Sequence, residues 1–108
     1  MTGAPSQVAS QFFAAARALA LHTGSLQERL ADAYADHLLA VTMGDLPVDL
    51  QPALRELEER LNRPDILAPE DDDPFQAAAR ELTDAEVVAL IDAIVLVYGR
   101  LAAAATPG

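Results

Sequence analysis

The sequence predicts an all-α fold, an antiparallel bundle of four main helices plus a short helix after Pro74. Apolar residues recur with the 3.6-residue period of an amphipathic helix, and proline or glycine separates the periodic segments. Serine, threonine or aspartate stands where several segments begin, and its side chain can cap the free N–H groups of a helix. The connections are short, which favours antiparallel neighbours.

The first two predicted helices cover about Ser6–His22 and Ser25–Val41. We expect Gly24 to end the first helix in the left-handed backbone conformation that glycine adopts easily. The second begins with a capping box, Ser25-Leu26-Gln27-Glu28. The apolar stripe of the first helix is Val8, Phe12, Ala15, Ala16 and Leu19. That of the second is Leu26, Leu30, Ala33, Tyr34, His37 and Val41.

Two further helices follow. One is predicted over about Leu50–Asn62, with Asp49 as its N-cap and Pro64 as its stop. The other is the short helix Pro74–Leu82, with proline at its first position and Asp73 as its cap.

The last predicted helix begins with the capping box Thr83-Asp84-Ala85-Glu86 and runs to about Ala105. It is too short between Glu86 and Gly99 to cross a bilayer. Apolar residues lie on two of its faces, so it is either central or in contact with a second subunit. With few other helices to surround it, we expect a homodimer. The candidate interface is Val87, Ala89, Ile91, Ala93, Ile94, Leu96, Tyr98 and Leu101.

Length and composition predict one domain. Its 108 residues suffice for a hydrophobic core, and we assign 6–105 to the domain and 1–5 and 106–108 to disordered ends. Seventeen acidic residues against seven basic ones give a net charge of −10, which disfavours direct nucleic-acid binding and favours basic protein partners. The absence of cysteine and of a signal-like N-terminus favours a cytoplasmic, non-membrane protein.

The sequence offers few groups for catalysis. The two histidines are His22, at the predicted end of the first helix, and His37, on the second apolar stripe. His37 is either a buried base or pH switch, or a core histidine with a tyrosine or carbonyl partner, and the second interpretation is favoured. No motif for a metal, a phosphate or a dinucleotide is present. We therefore expect no enzyme activity, no cofactor, no metal and no catalytic residue.

Surface charge provides the remaining functional clue. Glu28, Asp32 and Asp36 follow one ridge of the second helix at four-residue spacing, near the exposed Leu39 and upstream of an acidic run. The candidate acidic partner surface is Glu28, Asp32, Asp36, Leu39, Glu70, Asp71, Asp72 and Asp73.

The leading functional hypothesis is a non-enzymatic protein–protein interaction module that acts as a homodimeric adaptor or regulator. One alternative is an acidic inhibitor, antitoxin-like or mimicking nucleic acid, of a basic nucleic-acid-handling protein. Another is a small accessory chaperone for a specific client.

Overall fold

The computed structural model describes residues 5–63 and 73–105, which form five α-helices and contain no β-strand. The all-α prediction is therefore confirmed. The helices are α1 (Pro5–Leu21), α2 (Leu26–Ala33), α3 (Gln51–Leu61), α4 (Pro74–Arg80) and α5 (Asp84–Ala105). A π-helical turn, Tyr34–Leu38, continues α2, and two 3-10 turns, Met43–Asp45 and Val48–Leu50, precede α3.

Three predicted segments, the two chain ends and the acidic run, fall wholly or largely outside the described residues. Of the two ends predicted to be disordered, residues 1–4 and 106–108 lie outside, whereas Pro5 is the first residue of α1. Of the acidic run, Glu70, Asp71 and Asp72 also lie outside, and Asp73 is the N-cap of α4.

Most of the predicted helix starts are confirmed by hydrogen bonds. At α2, the Ser25 hydroxyl accepts from the N–H of Glu28 at 3.2 Å while the Glu28 carboxylate accepts from the N–H of Ser25. Thr83 and Glu86 form the same reciprocal pair at α5. The N-cap predicted for α3 is wrong: Asp49 lies inside the preceding 3-10 turn, where its carboxylate forms an ion pair with Arg100 instead.

The core forms around α5, which packs most extensively against α1 and also contacts α2 and α3. Five of its side chains are buried, and their three-and-four-residue spacing keeps them on one face. They are Val87, Leu90, Ile94, Val97 and Leu101. Phe12 of α1 and Leu54 and Leu57 of α3 are buried in the same core.

Two ion pairs fix the direction of α3 relative to α5. Arg60, near the end of α3, contacts Glu86 at the start of α5 with 2.6 Å between Nη1 and Oε2. Arg100, late in α5, contacts Asp49, just before α3, with 2.7 Å between Nη2 and Oδ2. The two helices are therefore antiparallel. All four side chains are substantially exposed, so the pairs add little to stability.

The π-helical turn changes which residues face the core after Tyr34. Tyr34, Leu38 and Val41 are buried, whereas His37 is half-buried. A π-turn closes its hydrogen bonds over five residues rather than four and so rotates the residues that follow it. The prediction that His37 lies on the core stripe is thus wrong, and Leu38 occupies the place expected for it.

Candidate functional site

An apolar groove lies between α1, α5 and the start of α2. Its volume is about 350 Å³ and it is open to solvent along its length. Small side chains on α1 form one wall and branched side chains on α5 form the other. The lining residues are Ala16, Leu19, Ala20, Leu26, Arg29, Val88, Ile91 and Val95.

The α1–α5 surface carries most of the exposed apolar side chains of the described residues. Among seven large exposed hydrophobic residues, five belong to these two helices, and the other two are Leu39 and Val48. The five are Phe13 (50% exposed), Leu21 (63%), Val88 (53%), Val95 (49%) and Leu96 (59%). Scattered exposed apolar residues are normal, but Val88 and Val95 line the groove, and exposed apolar side chains at a groove are typical of a contact surface.

An aromatic pair fixes one end of this surface. Phe13 on α1 and Tyr98 on α5 lie with ring centroids 5.5 Å apart. The α1 residues that line the groove all follow Phe13 in the sequence, whereas the α5 residues that line it all precede Tyr98. Because residue numbers rise along α1 as they fall along α5, these two helices are also antiparallel.

The residues predicted for a dimer interface do not share one surface. Val87, Ile94 and Leu101 are enclosed in the core of the chain itself, where no partner can reach them. Ile91, Ala93 and Tyr98 are half-buried, and only Ala89 and Leu96 of the predicted set are exposed.

Sequence reasoning did not include Val88 and Val95 in that interface, although both are exposed at the groove. The sequence did contain a pattern that separates the two valines from the core. The buried residues of α5 follow a strict three-and-four spacing that excludes both valines: Val87, Leu90, Ile94, Val97 and Leu101.

Two charged residues on this surface, Arg17 and Asp92, have neither an ion-pair nor a hydrogen-bond partner for their side chains within the described residues. Arg17, on the outer side of α1, is exposed, and so is Asp92, which follows Val88 by one turn on α5. Neither forms an ion pair within residues 5–63 and 73–105. Arg29 differs, since its Nε donates to the carbonyl oxygen of Gly24 at 2.9 Å.

The carboxylates of the predicted acidic surface have distinct surroundings. Glu28 is exposed and caps α2, and its pKa is held below the usual value chiefly by the hydrogen bond from the Ser25 N–H. Asp32 accepts from the Gln76 side chain at 2.8 Å and lies 2.6 Å from the imidazole Nε2 of His22. Asp36 is exposed.

Leu39 of that predicted surface is 48% exposed, and Asp73 caps α4 by accepting from the N–H of Phe75 at 2.7 Å. The structure therefore leaves Asp36 and Leu39 available for contact. It uses Asp32 to hold α1, α2 and α4 together.

Both ring nitrogens of His22 are engaged. Its Nδ1 accepts the backbone N–H of Gly24 at 2.8 Å, which places the ring proton on Nε2, facing Asp32. A histidine with both nitrogens occupied in this way has no free lone pair for proton abstraction or metal binding. His22 is therefore a structural link between α1 and α2.

Gly24 is needed for close approach to that ring and not for the left-handed backbone that the sequence predicted. Its φ lies outside the left-handed region. A Cβ at this position would lie 2.7 Å from Cε1 and 3.0 Å from Nδ1 of His22. Only glycine fits beside the histidine in this arrangement.

A second, polar cleft of about 560 Å³ lies between α2 and α4. The groups that line it already hold helices together: Ser25 and Glu28 cap α2, and Gln27 donates to the Leu82 carbonyl and to Asp84. Within the described residues, no cluster of three or more metal-ligating side chains exists. No helix in that part of the chain has the length and apolar character required to span a membrane.

No protein-family model, curated protein or solved structure matches this chain. Its function is therefore inferred from the geometry of its own residues, and the apolar groove with its surrounding surface is the strongest feature.

Proposed function

We propose that the protein is a non-enzymatic interaction module that self-associates through the exposed surface of α1 and α5, as an adaptor or regulator in the cytoplasm. The observation that carries this proposal is the groove between these helices, with Val88 and Val95 half-exposed on its rim. Exposed apolar side chains of this size contribute favourably to association because their contact with water is lost on binding.

The dimensions of the two helices support an interface that uses both of them. α5 has 22 residues, about 33 Å in length, and one face about 10 Å wide offers only ~330 Å². α1 has 17 residues and lies alongside, so the shared face measures roughly 25 by 20 Å, or ~500 Å² in flat projection. The accessible area of a ridged surface exceeds its projection, and so approaches the ~800 Å² per partner of a standard interface.

The test is a pair of matched variants, Val95→Asp and Val48→Asp. Both replace an exposed valine with a carboxylate, but Val95 lines the groove and Val48, 81% exposed, lies in the turn before α3. Sedimentation velocity over a concentration series should show a dimer for the parent and for Val48→Asp, and a folded monomer for Val95→Asp.

A parent that remains monomeric at tens of micromolar would refute the proposed self-association. Equal effects of the two variants would also count against it, since the effect would then depend on added charge and not on the groove.

The acidic-inhibitor alternative has its own support in the exposed side chains of Asp36 and Leu39. A basic partner bound there should dissociate steeply as salt is raised and should lose affinity for Leu39→Asp far less than for Asp36→Arg. A dimer bound through the α1–α5 groove would respond to neither substitution.

A further inference from the structure

We propose that the partner at the α1–α5 surface is a second copy of this chain, placed so that Arg17 of each copy pairs with Asp92 of the other. This inference rests on the self-association proposed above and adds the register of the two copies. It arises from two opposite charges on one apolar surface, both exposed and both without an ion-pair partner in residues 5–63 and 73–105.

The two charges lie at nearly the same height along the helix pair. Measured from the tilted aromatic pair Phe13 and Tyr98, Arg17 is four residues along α1, or about 6 Å. Asp92 is six residues back along α5, or about 9 Å, in the same direction because the helices are antiparallel. The difference of ~3 Å is within the reach of an arginine side chain.

Within one chain these groups are kept apart by the groove. The small residues Ala16 and Ala20 and the branched residues Val88 and Val95 lie between them. Both side chains are exposed, and they form no ion pair with each other.

A two-fold axis brings the opposite charges of two copies together. When two such surfaces meet about an axis parallel to the helices, α1 of one copy faces α5 of the other, and every contact is made twice. Arg17 then faces Asp92 of the second copy on both sides, while Val88 and Val95 pack against the opposite Ala16 and Ala20. A surface that carries Arg17 and Asp92, a cation and an anion without partners, at nearly the same height is complementary to its own copy.

The test uses charge reversal, with dimer dissociation constants measured by sedimentation equilibrium at low salt. Arg17→Asp and Asp92→Arg should each weaken the dimer about tenfold, corresponding to ~1.4 kcal/mol, because two symmetric pairs become repulsive. The double variant should restore an affinity close to that of the parent. Raised salt should reduce all of these differences.

The net charge of the chain by itself predicts the opposite result for Asp92→Arg, so the test distinguishes a specific ion pair from a general effect of charge. The chain carries a net charge of −10, so adding positive charge anywhere should strengthen self-association. Asp92→Arg is nevertheless expected to weaken it. The matched controls are Arg55→Asp and Glu59→Arg, exposed residues of α3 that change the net charge equally.

A dimer that responds to Arg17→Asp and Asp92→Arg no differently from the α3 controls would overturn the pairing and leave the proposed self-association intact. Asp92→Asn gives a second check. A tighter dimer would likewise exclude the pairing, because the loss of Asp92 would then have removed repulsion and not an attractive contact. A monomeric parent would overturn both inferences. Circular dichroism should show unchanged helix content in all variants, since every substituted side chain is exposed.

Discussion

The close approach of Gly24 to His22 makes a quantitative prediction about stability. Replacing Gly24 with alanine places a Cβ 2.7 Å from the imidazole Cε1, so the ring has to move. Movement breaks the hydrogen bond from the Gly24 N–H and the contact with Asp32. We therefore expect Gly24→Ala to destabilise the fold even though its backbone conformation suits alanine.

The magnitude follows from the groups that are lost. Each hydrogen bond contributes about 0.5–1.5 kcal/mol net, and Asp32, 40% exposed, belongs toward the low end of that range. Against the sum of roughly 1–3 kcal/mol stands a gain of about 0.4–1 kcal/mol, because alanine reduces the conformational freedom of the unfolded chain. With the Asp32 contact at the low end, the net cost is about 1 kcal/mol.

The same substitution should behave differently once the ring is absent. In a His22→Ala background the contacts at 2.7 and 3.0 Å disappear, and the Cβ of Glu28 at 3.2 Å is the remaining close neighbour. Gly24→Ala should then be neutral or stabilise by up to about 0.5 kcal/mol.

The assay is a double-mutant cycle of four proteins unfolded by urea, with the midpoint and slope fitted for each. The cycle should give a coupling free energy of at least about 1 kcal/mol between residues 22 and 24. If Gly24→Ala costs the same with and without the histidine, the close contact does not explain why glycine stands there.

Three further outcomes are expected. Ile94→Asp should abolish the cooperative thermal unfolding transition, because its side chain is fully buried and an unpaired buried carboxylate costs several kcal/mol, comparable to the stability of a small domain. Parent-like melting would contradict its place in the core. Leu96→Asp should leave thermal stability nearly unchanged, since the side chain is 59% exposed, and should weaken self-association in light scattering; loss of folding would contradict this. Glu86→Gln should flatten the acid limb, which is the fall in the free energy of unfolding as pH is lowered. The reason is that hydrogen bonds from Thr83 and the charge of Arg60 lower the folded pKa of Glu86 below 4.5. The stability from a lowered pKa is present above about pH 4.5 and is lost as pH falls through the folded value, so an unchanged acid limb would refute this contribution.

The sequence was sufficient for features that depend on neighbours within one or two turns. The capping boxes at Ser25 and Thr83 and the cap at Asp73 each form hydrogen bonds over at most three residues, and all three predictions are confirmed. Helical periodicity likewise predicted apolar faces on the last helix, and one of these faces, which carries Val87 and Ile94, is buried. Such local patterns determine the all-α class and the approximate helix limits.

The tertiary structure decided what local patterns leave open. After the π-turn that follows Ala33, Leu38 and not His37 lies in the core. Asp49 lies within a 3-10 turn, where it pairs with Arg100, and so does not cap α3.

The candidate site depended most strongly on tertiary packing. An apolar residue on a helix is buried or exposed according to which neighbouring helix covers it, and that neighbour is distant in sequence. For this reason Val87 and Val88 are chemically equivalent in the sequence but are fully buried and 53% exposed, respectively, in the fold. Periodicity determines that α5 is apolar on more than one side, and packing against α1 and α3 determines which side remains available for a partner.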